Sequence, residues 1–258
     1  MAAILLDVDG VLYVSGEPIP GAVDAVRRLR ADGHRIRFVT NSTTMSRSQL
    51  GESLRSLGFA VDDDELQTTG DVASRVLAGK RVLALTMPGI LDDLRGMQLI
   101  GMNADAVLVG GADETEEPNR IYSYLNLNRA FLELVAGADL YCLHRNRWWQ
   151  TAEGPRLDAG AIVAGLEYAA GIEATVLGKP SPAYFRAALE ALDSDPELTW
   201  MVGDDIEGDV VGAQAVGMRT VLVRTGKFRP DELEHTRVVP DGIVSSIAHL
   251  PDWLEANP

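Results

Sequence analysis

The chain has 258 residues, of which 46% are hydrophobic, enough to bury a sizeable core in one large domain or two smaller ones. Its formal net charge of −15, from 23 basic and 38 acidic residues, argues against nucleic acid or an anionic membrane surface as the main partner. The single cysteine, Cys142, leaves no internal disulfide and fits a reducing compartment, and neither a signal peptide nor a membrane-length apolar run is visible, so a cytoplasmic protein is expected.

The first apolar run, Ala3-Ile4-Leu5-Leu6, is a predicted strand that ends in Asp7-Val8-Asp9-Gly10. Aspartates two apart at a strand end emerge on the same side of the pleat. Their repulsion favours a bound cation, and Mg²⁺ takes oxygen ligands. A carboxylate is also a covalent phosphoryl acceptor, and a second carboxyl beside it can protonate a leaving oxygen and later activate water. Asp-x-Asp occurs equally as a plain Mg²⁺ motif and as a turn. Pro20-Gly21 opens a predicted helix to about Asp32, with Ala22, Val26 and Leu29 on one face. The second run, Ile36-Arg37-Phe38-Val39, ends in Thr40-Asn41-Ser42, which reads as a polar strand cap or as a phosphate cradle of hydroxyl and backbone N–H groups. Ser46-Arg47-Ser48-Gln49 has capping-box spacing before a helix of Leu50, Leu54 and Leu57 that stops at Gly58. Gly70 to Leu77 reads as a third helix, ended by Gly79.

From about 81 to 171 the pattern changes. Predicted strands at Val82–Thr86, Ala106–Val109 and Asp139–Leu143, with helices around Asn119–Val135 and Ala161–Ala170, make an insert of roughly 90 residues, enough for its own core. The acidic stretch Asp113 to Pro118 reads as a solvated loop and helix start. His144, Arg145 and Arg147 either meet an anionic substrate or form the solvated face of an amphipathic strand. Trp148 and Trp149 point to opposite sides of a strand, one toward the core and the other toward a subunit interface or the pocket.

The third run, Ala174-Thr175-Val176-Leu177, leads to Gly178-Lys179-Pro180. Only three of the 23 basic residues are lysine, namely Lys80, Lys179 and Lys227, so a lysine kept between glycine and proline suggests a need for an ammonium there; a surface lysine at a turn is the alternative. Ser181-Pro182 is a cap and first-turn pair for a helix lined by Phe185, Leu189 and Leu192. The fourth run, Thr199-Trp200-Met201-Val202, ends in Gly203-Asp204-Asp205, and with Asp209 it supplies three acids suited to a cation. A short helix from Asp209 to Val216, closed by Gly217, and a strand from Arg219 to Val223 follow. If the four runs are parallel neighbours, their polar ends converge where open parallel sheets bind ligands, outside the carboxyl ends of the strands.

In this order the four polar ends resemble the motifs of the haloacid dehalogenase superfamily over essentially the whole chain. The resemblance implies Asp7 as nucleophile, Asp9 as general acid/base, and Thr40, Asn41, Ser42 and Lys179 as phosphate binders. It implies Mg²⁺ held by Asp7, Asp204 and the backbone carbonyl of Asp9, with Asp205 and Asp209 as supporting acids. The implied fold is α/β, a Rossmann-like parallel-sheet core at 1–80 plus 172–258 with an α/β type II cap inserted at 81–171, as in the nagD-like branch. Dehalogenase members lack the second aspartate, so Asp9 favours phosphoryl chemistry. Three stretches resemble a group of phosphoramidate and pyrophosphate phosphatases in that branch: His144 to Trp149, Leu166 to Ala169 with Gly171, and Val223 to Pro230. Trp148 and Trp149 depart from that group's usual tyrosines, and Leu157-Asp158-Ala159-Gly160 is looser than the branch's glycine-rich stretch. The expected function is Mg²⁺-dependent hydrolysis of a small phosphorylated metabolite, phosphoramidate or pyrophosphate through an aspartyl-phosphate, in a homodimer formed through the cap. A phosphotransferase or mutase on the same core, and a non-catalytic regulatory protein retaining the fold, stay open.

Overall fold

The computed structural model describes residues 1–112, 120–151, 154–235 and 238–257. Their contacts form two compact units, one of Met1–Thr40, Gln49–Gln67 and Lys179–Pro258, the other of Asn41–Ser48 and Thr68–Gly178. The second unit thus takes in the loop 41–48, the helix Thr69–Val76 and residues 172–178 as well as 81–171.

In the first unit six strands form one sheet in which every pairing is parallel: Gly242–Val244, Arg219–Val223, Thr199–Gly203, Ala3–Asp7, Arg35–Val39 and Leu66–Gln67, in that order. All five residues of Ala3–Asp7 and of Thr199–Gly203 are buried, which is what a central parallel strand covered on both faces requires. Leu6 pairs with Val202 on one side and Phe38 on the other, so Asp7, Thr40 and Asp204 leave the sheet at one end. The helix Ala22–Ala31 buries Ala22, Ala25, Val26 and Leu29, and Pro182–Leu192 buries Tyr184, Phe185, Ala188 and Leu189.

Two expectations are corrected here. The run 174–177 is not a neighbour of the other three. Thr175–Val176 pairs with Tyr141–Cys142 in the second unit, at the edge of its sheet. Thr175 is exposed and Val176 half-buried, a profile that suits an edge strand and not a doubly covered central one. The helix predicted from Asp209 starts earlier: Ile206–Val211 is π-helical and continues into Gly212–Gln214. The cause is Asp205, whose Oδ1 accepts a hydrogen bond from Gly208 N at 2.8 Å and so caps the turn.

The second unit has its own parallel sheet, ordered Thr175–Val176, Asp139–Cys142, Ala106–Gly110, Arg81–Thr86 and Gln98–Leu99. Its core joins Leu83, Leu85, Val107, Val109, Leu140 and Cys142 to Ala130 and Leu134 of the helix Tyr124–Val135 and to Val163 and Leu166 of Ala159–Ala170. The first of these helices begins at Tyr124 because Ser123 Oγ accepts from Asn126 N, and the second begins at Ala159 behind Asp158 at its cap. The acidic stretch 113–118 and residue 119 lie outside the described residues. Trp148–Thr151 and Gly154–Leu157 form an antiparallel hairpin. Residues 144–147 are loop and not strand, held by the N-terminus of the following helix: Gly160 N donates to Asn146 O at 2.9 Å and Asp158 N to Arg147 O at 3.2 Å. Among the described residues no helix is long and apolar enough to cross a membrane.

Candidate active site

The site is built in the first unit, at the carboxyl ends of its two central strands. After Ala3–Asp7 the chain turns back at once: Gly10 N donates to Tyr13 O at 2.8 Å, and Leu12 N to Val8 O at 2.9 Å. Gly10 sits at φ +85°, in the left-handed region that other residues avoid. This turn leaves Asp7 buried and Asp9 exposed.

Lys179 joins two of the acids. Its Nζ donates to Asp7 Oδ1 at 2.7 Å and to Asp209 Oδ1 at 2.6 Å, with all three side chains buried. The other oxygen of Asp209 accepts from Asp205 N at 3.1 Å. Asp204 Oδ2 accepts from Lys227 N at 2.6 Å. One carboxylate oxygen from each of Asp7, Asp204 and Asp209 lies within 4.8 Å of the others. Gly203 makes this possible, because a Cβ there would stand 2.1 Å from Asp209 Oδ2.

Burial raises the pKa of all three acids. Asp204 is held well above the usual carboxylate range by burial and then by the charges of Asp7 and Asp209. Asp209 is pushed up to about 7 by burial, against the pull of Lys179. Asp7 is raised by burial more than Lys179 lowers it. For Lys179 burial disfavours the charge, yet Asp209 and Asp7 outweigh it and keep the ammonium well above its ordinary value. Three buried carboxylates therefore face one buried ammonium, and burial first, then mutual repulsion, makes them favour a proton or a cation. Three hard oxygen donors in that state fit a divalent cation such as Mg²⁺.

Not every residue singled out in the sequence joins this cluster. Asp9 lies beside Tyr13, whose phenol hydrogen-bonds to it; burial first, then the charge of Asp9, raises the Tyr13 pKa. Asp205 is half-buried, with Lys227 Nζ 3.5 Å from its Oδ2. Thr40 is buried at the end of Arg35–Val39, where the Tyr184 hydroxyl accepts from Thr40 N at 2.9 Å and stands 2.8 Å from Gln67 O. Asn41 and Ser42 group with the second unit, Ser42 Oγ lying 3.3 Å from Thr44 Oγ1. Within that unit His144 is only 2% exposed, its Nε2 3.5 Å from Thr43 Oγ1 and 3.7 Å from Asp158 Oδ1, so it is not on a solvated face. Arg145 is exposed and donates to Glu167 Oε2 at 2.5 Å, and Arg147 is exposed. Three residues that sequence reasoning assigned no role stand at the site: Tyr13, Tyr184 and Lys227. Lys227 had a signal, since the scarcity of lysine that singles out Lys179 applies to it equally.

The Haloacid dehalogenase-like hydrolase family profile matches residues 4–100, and a HAD-hydrolase-like profile matches 176–250. The chain is 40% identical over 264 residues to phospholysine phosphohistidine inorganic pyrophosphate phosphatase of Xenopus laevis, covering 99% of this chain and 95% of that one. It is 37% identical to haloacid dehalogenase-like hydrolase domain-containing protein 2 of Bos taurus, over 98% of this chain and 96% of that one. Among solved structures, p-nitrophenyl phosphatase from Archaeoglobus fulgidus superimposes with a TM-score of 0.90 at 29% identity, over 98% of both chains.

Proposed function

This chain belongs to the haloacid dehalogenase-like hydrolase family and is a phosphatase, and from that premise we propose that it hydrolyses its substrate through an aspartyl-phosphate on Asp7, with Mg²⁺ as cofactor. The observation that carries the reading is the Lys179 ammonium, 2.7 Å from Asp7 and 2.6 Å from Asp209 inside the buried acid cluster. Such an ammonium favours the carboxylate form of Asp7 against the burial that opposes it, and offsets charge on phosphoryl oxygens. The proposed substrate is a small phosphorylated metabolite, phosphoramidate or pyrophosphate. It is supported by 40% identity to a protein named for phospholysine, phosphohistidine and inorganic pyrophosphate.

An oxygen of Asp7 attacks phosphorus, and the bond from phosphorus to the leaving oxygen or nitrogen breaks. Asp9 passes its proton to that leaving atom. In the second half Asp9, now ionised, takes a proton from water as the water oxygen attacks the same phosphorus. The acyl-phosphate bond breaks, and Asp7 and inorganic phosphate are released. Thr40, Asn41, Ser42 and Lys179 bind the phosphoryl oxygens. Asp7, Asp204 and the carbonyl of Asp9 would hold Mg²⁺, with Asp205 and Asp209 in support; the ion's positive charge, when bound, offsets the carboxylates and the phosphoryl group.

Asp7→Asn tests the reading, because an amide has nearly the same shape and almost no nucleophilicity. The wild type is expected to release phosphate from p-nitrophenyl phosphate with Mg²⁺ and to stop in EDTA, and folded Asp7→Asn to keep no more than a few per cent of the rate. Substantial turnover by Asp7→Asn, or full activity after exhaustive chelation, would sink the mechanism. Loss of substrate without free phosphate would point to a phosphotransferase instead.

The second unit is proposed to carry substrate selection and a homodimer contact. The contact is supported by Tyr124, Leu125, Leu132 and Val135, which stand exposed along one stripe of the helix Tyr124–Val135. Sedimentation velocity reads the dimer directly. A reducing, cytoplasmic location is proposed with it, in keeping with the buried free thiol of Cys142.

A further inference from the structure

The stretch Val223 to Pro230 has no part in the chemistry above, yet it touches the site at three points. After the strand Arg219–Val223 the chain makes a tight turn in which Phe228 N donates to Thr225 O at 3.2 Å. The N–H of Lys227 donates to Asp204 Oδ2 at 2.6 Å. The hydroxyl of Thr225 donates to the carbonyl of Gly10, three residues beyond Asp7. Gly226, at φ +59°, is so close that a Cβ on it would lie 1.9 Å from Asp204 Oδ2 and 2.5 Å from Gly10 Cα. A Cβ on Gly10 would in turn lie 1.8 Å from Asp204 Oδ2. The Asp204 carboxylate therefore sits in a slot walled by two glycines, with one oxygen tied to a backbone donor.

We propose that the turn Thr225-Gly226-Lys227 is a positioning element, which clamps the Asp204 carboxylate against the Gly10 loop in its ligating orientation and so sets the affinity of the site for a divalent cation. This rests on Asp204 being a metal ligand. A free carboxylate rotates about its side-chain bonds and must be ordered when the cation arrives. Here Oδ2 is already tied to a backbone donor, so the carboxylate is held within reach of Asp7 and Asp209 at little further ordering cost. The N–H also favours the ionised form of Asp204, which burial and the two neighbouring acids oppose. The Lys227 ammonium stands 3.5 Å from Asp205 Oδ2, and although its charge also reaches Asp204, the clamp itself is made by the backbone N–H and the Thr225 hydroxyl.

The test is calorimetric titration of the full chain with Mn²⁺, without substrate, so that the readout is binding and not turnover. Gly226→Ala and Thr225→Val are expected to bind Mn²⁺ about 10–100-fold more weakly, the usual cost of removing an outer partner of a ligand. Thr225→Ser, which keeps the hydroxyl, should bind as the wild type does, and Lys227→Ala, which keeps the N–H but removes a positive charge from beside the acids, should bind no more weakly. Melting curves confirm that each variant is folded; if Gly226→Ala is not, Thr225→Val, which fills the same space as threonine, still decides. Wild-type affinity in folded Thr225→Val overturns the proposal. So does a loss in Lys227→Ala equal to that in the turn variants, which would assign the effect to the ammonium. Asp204→Asn separates the layers: if it binds Mn²⁺ like the wild type, the ligand assignment falls and the clamp with it, whereas unchanged turn variants beside a defective Asp204→Asn sink the clamp alone.

Discussion

Asp7 and Asp9 are separated by one residue and meet opposite surroundings. Asp7 is buried against Lys179, while Asp9 is exposed beside the Tyr13 phenol. That contrast suits a division of labour between nucleophile and proton carrier. Asp9→Asn should therefore lose most with poor leaving groups. General acid help is worth ~10²–10⁴-fold, so phosphorylation of the enzyme by an alkyl phosphate should fall by about that much, and by p-nitrophenyl phosphate far less. Single-turnover kinetics reads this step, and equal losses for both would mean that Asp9 acts through geometry alone. Asp7 and Asp204 were legible in the sequence because each stands at the end of an apolar run, and Asp209 because it follows the second of these within a few residues. Tyr13 and Tyr184 were not, because their role lies in what they face across the fold, and no periodicity encodes that. His144 was misleading for a related reason. A histidine beside two arginines reads as one basic face, whereas a loop lets it turn inward toward Thr43 and Asp158.

At the scale of the element, the segment after Thr199–Gly203 does most to shape the cluster. Asp205 caps it, the π-helical turn Ile206–Val211 buries Asp209 while Glu207 stays exposed, and Asp209 folds back against Gly203. Gly212 then brings the segment against the Lys179 loop: a Cβ there would stand 2.8 Å from Pro180 Cα and 2.7 Å from Phe185 Cε2. Gly212→Ala should push the two apart, lengthening the Lys179–Asp209 contact. Overpacking of this kind costs ~1–3 kcal/mol, to be read as a lowered melting temperature, and kcat should fall with it. An unchanged rate would show that the contact tolerates displacement. The sequence showed that a helix lies here but not where it begins, since Asp205 reads first as a ligand and only the structure reveals it as a cap. A standard helical period also cannot anticipate a π-turn, whose extra residue per turn shifts the buried face.

At the scale of the molecule, the alternation of apolar runs and helices made an α/β fold with parallel sheets readable in advance, and the changed pattern after 80 marked an insert. What it could not show was the sheet to which a two-residue strand belongs. Thr175–Val176 is too short for its composition to decide, and its partner, Tyr141–Cys142, lies more than thirty residues earlier in the chain. If selection resides in the second unit, exchanging that unit for a relative's should transfer the ranking of substrates, measured as kcat/KM, and leave the Mg²⁺ requirement with the recipient.

Where such an exchange is cut matters. The helix Thr69–Val76 packs with the insert: Gly70 has no room for a Cβ beside Asp93, and Ser74 Oγ donates to Arg95 O at 2.6 Å. Crossovers at 80/81 and 171/172 would strand that helix and the Thr175–Val176 edge in the recipient without the sheet that pairs them. Crossovers at 67/68 and 178/179, with 41–48 carried along, keep every pairing of the donor sheet intact. They also fall one residue short of Lys179, so the recipient retains its own ammonium. For recombination, natural or engineered, the workable seam of this protein is thus drawn by a strand of two residues, and Lys179 lies just on its inner side.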